Sequence, residues 1–494
     1  MVQGKNTNFR RQKHPVCLFL SRKRFSDLAF ETSPRNFALE NIGKNNMKKT
    51  ILSLAVLLLI GQTRPVFAGE TWTLKACIEH ALKNNLKLQK SRLNEASAET
   101  DVKQAKAALF PSLSASMTQS VAYRPFQESA AQFVNGSKTS SSSNKTSQTG
   151  SYGINASWTV WDGGKNTKDI KVKRLDQEMA QLTTETEANS IQEQIAQLYI
   201  QILYSQEAVT VNEALLKSDE AELERGQEML NQGKLSKSEL AQLEAQTATG
   251  RYDVVNAKTQ VANYKLQLKQ LLELTEIEEM EIAPLVETEE AVASLIPNKA
   301  EIYQAALELR PEIKSSKLNC EAAKLNLDIA KAGYMPSIRL TAGIGDNHMT
   351  GTSEKFFDQM KQNLNGSVGL TVSVPIFTNR ENKSAVEKAQ INRLTAQLDL
   401  QDKQKELYSS IETYWLNAIS NQQKYEAAKS SVKSAQLNYD QMDEQFRLGL
   451  KNLVELTTSR TNLLSAQQEM LQSKYTTLLN MQLLKFYGGE NINL

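Results

Sequence analysis

Cysteine, histidine and aromatic residues are scarce in this chain of 494 residues. There are three cysteines and three histidines, and aromatics make up 6%. Cys77 and Cys320 stand alone, with no CxxC pair and no histidine at ligand spacing, which argues against a zinc site. His14, His80 and His348 form no Ser/His/Asp arrangement, and no paired carboxylates are visible, so the ingredients of a catalytic centre are missing. The few aromatics and polar mean hydropathy leave too little material for one large globular core. No basic patch speaks for nucleic acid: residues 1–68 carry 12 of the 58 basic and 3 of the 55 acidic residues, leaving 46 against 52 beyond them. Those remaining charges solvate helix faces. No cofactor is implied.

Long apolar runs are also missing. Ile51 to Ile60 is too short to cross a bilayer permanently, but Met47-Lys48-Lys49 precedes it and Val66-Phe67-Ala68 follows. Residues 47–68 therefore read as a secretory signal peptide, and residues 1–46 as an upstream, non-native extension. No cysteine follows the expected cleavage point to carry a lipid.

What is present is helix-forming composition interrupted by short alternating stretches. In Ser367 to Phe377, Val368, Leu370, Val372, Val374 and Ile376 share one face, with Gly369, Thr371, Ser373 and Pro375 on the other. That pattern suits a strand between lipid and a wet lumen. The chain is a duplication. Ala105 to Leu113 answers to Ala330 to Ile338 at one constant offset. The first repeat, 69–274, comprises helix 74–109, strands 112–123 and 152–161 around an exposed loop, a long helix 164–230 and a return helix 236–274. An acidic linker, 275–299, follows. The second repeat, 300–489, comprises helix 300–333, strands 337–345 and 367–377, long helix 380–446 and return helix 451–486. Ile195, Leu198, Ile202, Val209 and Leu216 give the first long helix a packing seam; Val432, Ala435, Tyr439, Met442 and Phe446 give the second its own. Each long helix spans on the order of 100 Å, enough to cross a wide aqueous gap.

Four strands cannot close a membrane barrel, and an open edge in hydrocarbon leaves unpaired backbone groups at several kcal/mol each. Several chains must then share one barrel: two would give eight strands, and three would give twelve with room for a pore. Tyr123, Tyr152 and Trp158 would sit near the membrane interfaces. The rival reading is a periplasmic coiled-coil adaptor or structural protein without a pore. By the repeat, Cys77 and Cys320 lie roughly 27 Å apart in height, so both are expected as free thiols.

The signal peptide, the duplicated Ala-Lys-Ala-x-x-x-Pro-Ser junctions, Ala306 to Glu312 and the Gly-Leu turn near Leu448 resemble the TolC family of outer-membrane efflux proteins. The resemblance implies a mainly α fold with a membrane β-barrel: a homotrimer with a twelve-stranded barrel in outer-membrane lipid and a helical tunnel through the periplasm. It also implies a passive conduit in tripartite efflux or type I secretion, completed by a periplasmic adaptor (membrane fusion protein) and an inner-membrane pump. On the same resemblance Gln232, Gly233, Lys234 and Leu448, Gly449, Leu450 are adaptor-docking turns, and Glu455 forms an acidic ring at the periplasmic entrance. Lys451 would latch that gate to Ser238 or Glu239. Phe446 stands where the family has a tyrosine, and Thr458 where it has a second carboxylate.

Overall fold

A computed structural model describes residues 71–126, 131–134, 137–140, 145–274, 280–285, 288–350 and 354–492. The expected extension and signal peptide lie outside the described residues. In chain order the elements are α1 (Leu74–Asn84), α2 (Leu86–Ala107), β1 (Ser112–Tyr123), β2 (Ala131–Val134), β3 (Ser137–Ser140), β4 (Thr146–Trp161), α3 (Lys165–Asn231) and α4 (Lys237–Leu271). Then come α5 (Thr288–Ala293), α6 (Lys299–Leu309), α7 (Pro311–Ala332), β5 (Ser337–Met349), α8 (Phe356–Asn363), β6 (Asn365–Ser373), α9 (Glu381–Arg447) and α10 (Leu453–Tyr487).

Each helix expected before a strand is two helices. The span 74–109 breaks at Asn85, whose extended backbone ends α1 and whose side chain accepts from Lys87 and Leu88 N–H to start α2. The span 300–333 breaks at the repeat-equivalent Arg310, held extended because Pro311 follows it. The 124–150 stretch is not only loop: it holds the β2–β3 hairpin and the start of β4. β4 begins before residue 152, and β5 runs past 345, because the two pair with each other out to Thr149 and Met349. β6 stops at Ser373 rather than 377, short of Pro375, which has no N–H for a ladder. The acidic linker contains α5, and its Ile282 bridges Trp72: Trp72 N–H donates to Glu281 O (2.7 Å) and Ala283 N–H to Trp72 O (3.0 Å).

The strands form one antiparallel sheet in the order β1-β4-β5-β6, so the two repeats join edge to edge at β4–β5. Beyond Gly345, β5 has outrun β6, and α8 covers the exposed edge. Gln359 Oε1 accepts from Met349 N–H (2.9 Å), its Nε2 donates to Met349 O (3.1 Å), and Asn363 Nδ2 donates to Asn347 O (2.6 Å). Gly150 is needed here, since the His348 ring lies where a β-carbon on residue 150 would stand.

α3 and α9 each run 67 residues, about 100 Å, and each turns back into a 35-residue partner. Among the described residues there are two apolar clusters: Ile195, Leu198 and Ile202 of the first seam join the larger, and Ala435, Tyr439, Met442 and Phe446 of the second join the smaller, whereas Val209, Leu216 and Val432 join neither. The larger gathers Leu74, Cys77, Ile195, Tyr199, Ile202, Leu272, Ile313, Ile411 and Leu484, where both repeats and the linker meet; the Tyr199 hydroxyl donates to Ala283 O at 2.8 Å. The smaller, Leu235, Leu240, Leu243, Tyr439, Phe446, Leu453 and Leu456, sits at the hairpin ends. Cys77 and Cys320 are free thiols, and burial pushes the Cys77 thiol up to about 12. Among the described residues, no helix is long and apolar enough to cross a membrane.

Candidate functional site

The sheet register converts four separate alternations into two surfaces. Leu113 lies opposite Ala156, Ala156 opposite Ala342, and Ala342 opposite Val368. Ile154 is likewise opposite Ile344, Trp158 opposite Leu340, and Leu340 opposite Leu370. Side chains directly opposite share a face, so apolar residues of all four strands line one side. That side is bare in the protomer: Leu113 is 75% exposed, Val368 78% and Leu370 66%. The other side carries Ser112, Ser114, Ser116, Gly153, Asn155, Ser157, Thr341, Gly343, Gly369 and Thr371, all small or polar. An apolar sheet face of this extent marks a surface made to be covered, by lipid or by another protein. Among the described residues, the outer strands β1 and β6 each leave one edge without a partner. At the foot of the sheet, Trp158 Nε1 donates to Leu109 O (2.8 Å), and Asn382 Nδ2 to Gly333 O (2.7 Å), fastening strands and long helices to the preceding junctions.

At the far end of the hairpins the duplication repeats atom for atom. Gly233 and Gly449 take the left-handed conformation, φ 72° and 74°, which costs glycine little. Lys234 N–H donates to Met229 O and Gly233 N–H to Leu230 O, both 2.9 Å; Leu450 donates to Gln445 and Gly449 to Phe446 at the same 2.9 Å. Both turns are thus Schellman closures. Each return helix then opens on a capping box: Ser236 with Glu239, and Asn452 with Glu455. Gln232, Gly233 and Lys234 are exposed, as are Leu448 and Leu450 at 65% and 71%.

The expected gate residues therefore have partners within the chain. Lys451 Nζ donates to Glu455 Oε1 at 2.6 Å, one turn away, and not to Ser238 or Glu239 in the same protomer. This contact, followed by the Asn452 N–H, holds the Glu455 carboxyl below its usual range. Glu239 Oε2 accepts from Ser236 N–H (2.9 Å) and Oγ–H (2.7 Å), which lowers its carboxyl too. Ser238 is exposed, and Phe446 is buried in the end cluster. Ser-x-x-Glu and Asn-x-x-Glu were readable cap signals, and they account for both carboxylates independently of any gate.

Sequence reasoning missed a buried polar cluster about three turns inside the ends. On α3, Asp219 and Glu222 are each 2% exposed. Arg460 of α10 donates to Asp219 Oδ2 (2.5 Å) and Gln246 of α4 to Oδ1 (2.8 Å), while Thr457 donates to Gln246 Oε1 (2.8 Å). Glu222 turns to α9, where the Tyr439 hydroxyl donates to its Oε1 at 3.2 Å and Asp443 shares Arg225 with it. Burial first, and the Asp443 charge second, push the Glu222 carboxyl up to about 7. A charged residue at a seam position was the available signal.

No His/Cys/Asp/Glu group that could hold a metal occurs among the described residues. An apolar, edge-exposed sheet joined to two long polar helical hairpins fits a membrane-seated protein with a long extension into water. A sequence profile for outer membrane efflux proteins matches residues 77–273 and 302–490, and the chain belongs to that family. It is 23% identical over 449 residues to the outer membrane protein TolC of Salmonella enteritidis, covering 87% of this chain and 85% of that one. It is 25% identical over 288 residues to the alkaline protease secretion protein AprF of Pseudomonas aeruginosa, covering 56% and 59%. Its fold matches solved CusC at TM-score 0.71 with 18% identity, over 86% of this chain and 96% of that one. The protein is an outer-membrane channel component of an efflux or secretion system, reaching into the periplasm; it is a transport conduit and not an enzyme. The rival reading, an adaptor without a pore, falls with this membership.

Proposed function

We propose that three copies close one twelve-stranded barrel in outer-membrane lipid, with β1 of each protomer pairing β6 of the next, and that their helices form one tunnel through the periplasm. The unpaired edges of a lipid-compatible sheet carry this reading. Leaving them open in hydrocarbon costs several kcal/mol per backbone group, whereas closure by neighbours removes every edge. Twelve strands leave a lumen, lined by the Ser, Thr, Gly and Asn face together with Arg339. Channels of this family act with an adaptor and an inner-membrane pump. The exposed turns Gln232-Gly233-Lys234 and Leu448-Gly449-Leu450 are the surfaces offered to the adaptor. Three Glu455 carboxylates ring the entrance, each tied to its Lys451, and Lys451 reaches Ser238 or Glu239 of a neighbouring protomer when the entrance is shut. The cargo passes passively, as small toxic molecules or exported substrates.

The test is conductance across a planar bilayer with the mature chain, Lys451→Ala and Glu455→Ala. Wild type is expected to give small, cation-preferring pores. Lys451→Ala should enlarge them, and Glu455→Ala should weaken the cation preference. A preparation that never forms pores in any variant removes the channel assembly altogether.

A further inference from the structure

The cluster around Glu222 has no part in the entrance ring, yet it joins α3 of the first hairpin to α9 of the second. We propose that Glu222 and Asp443 form a proton-held latch between α3 and α9, a second lock set inside the entrance. This inference rests on the proposed tunnel and adds to it a regulated step.

The geometry is that of a shared proton. Glu222 is almost wholly buried, and it and Asp443 flank one guanidinium nitrogen of Arg225, at 3.8 Å and 3.5 Å. Two facing carboxylates attract only when one carries a proton: the Glu222 O–H then donates to Asp443, and the bond ties the helices together. The surroundings complete the cage. Tyr439 O–H lies 3.2 Å from Glu222 and 2.8 Å from Ser218 Oγ. From α9, Tyr439, Asp443 and Arg447 face the site; from α3 itself, Arg225 does. Arg225 lies 3.5 Å from Asp443 and 3.8 Å from Glu222, and Arg447 lies 2.6 Å from Asp443, so the cations address Asp443 first. On α4 and α10 the nearby charges are Asp253 and Arg460, and both act on Asp219. Glu222 is left as the carboxyl with the poorest cation contact, and its proton is the one that is exchangeable. Burial raises the Tyr439 hydroxyl to about 12, so that hydroxyl stays protonated.

The sign follows from the direction of the shift. A carboxyl raised in the closed state and relaxed to the ordinary range in an open, hydrated one binds its proton more tightly when closed. The latch holds in acid, and it weakens as pH rises from the ordinary glutamate range through about 7. Glu455, shifted down, supplies no change in that window.

The experiment is bilayer conductance of the mature chain between pH 5.5 and 8 with wild type, Glu222→Gln and Glu222→Ala, each first checked for a heat-resistant oligomer. Wild type should open about fivefold or more over that range, the low end of ordinary coupling. Glu222→Gln keeps a donor to Asp443 at all pH and should stay closed with a flat profile. Glu222→Ala should stay open with a flat profile. A merely structural role would make both variants leak alike, and that outcome overturns the latch, as does a wild-type profile that Glu222→Gln leaves unchanged. Absence of pores from wild type would instead count against the channel assembly.

Discussion

Arg310 is where the charge chemistry of the fold is least forgiving. It is 7% exposed, it donates to Glu312 Oε1 at 2.8 Å and Glu193 Oε1 at 3.4 Å, and its guanidinium lies 4.2 Å from the Tyr487 ring centroid. One planar cation thus joins the start of α7, the middle of α3 and the end of α10. Burial raises the Glu193 carboxyl, and Arg310 only partly offsets this. Arg310→Ala would leave Glu193 and Glu312 half-desolvated without a cation, a loss of about 3–5 kcal/mol for a broken buried pair. Arg310→Lys keeps the charge but not the fork or the ring stacking, so it should recover only part of that. Thermal loss of helical circular dichroism is the readout. A pair of variants within about 0.5 kcal/mol of wild type would mean the cluster is ornamental, like ordinary surface substitutions.

At the scale of elements, the two capping boxes set how the hairpins restart. Ser236→Ala and Asn452→Ala each remove the side-chain acceptor for an orphan N–H, at about 1 kcal/mol. Hydrogen exchange at the amides of Glu239 and Glu455 should then speed up about fivefold, the factor that energy represents. Unchanged exchange would show that the turns are held from elsewhere. The long helices and the alternating strands were legible because each rests on local chemistry: proline-free runs, a period of two. The breaks were less so. Pro311 marks the end of α6, but Asn85 has no proline after it, and its role appears only through the duplication that makes it the counterpart of Arg310. Glycines 163 and 164 give α3 its left-handed start, whereas α9 begins after Asn379 and Arg380 in the same positive-φ conformation, which no local signal announces. The Tyr439–Glu222 hydrogen bond joins residues far apart in sequence, so nothing in either helix alone could show it.

At the scale of the whole molecule, the claim with the widest consequence is that the sheet has an oil side and a water side, and two neighbouring residues separate them. Leu370 lies opposite Leu340 on the apolar face; Thr371 lies opposite Arg339 on the other. In the proposed trimer an arginine at position 370 would point into lipid, at about 2–4 kcal/mol near the bilayer midplane in every protomer. An arginine at 371 would point into the lumen beside Arg339, where water screens it and the expected change is in selectivity. Leu370→Arg should therefore lower the temperature at which the oligomer dissociates in detergent, and Thr371→Arg should leave it nearly unchanged while shifting the reversal potential toward anions. The order matters more than the sizes. A soluble sheet with one wet face would lose stability at 370 through lost packing, but it would have no reversal potential to shift. If the penalties exchange places, the register is off by one residue, since a slip of one moves every side chain to the opposite face.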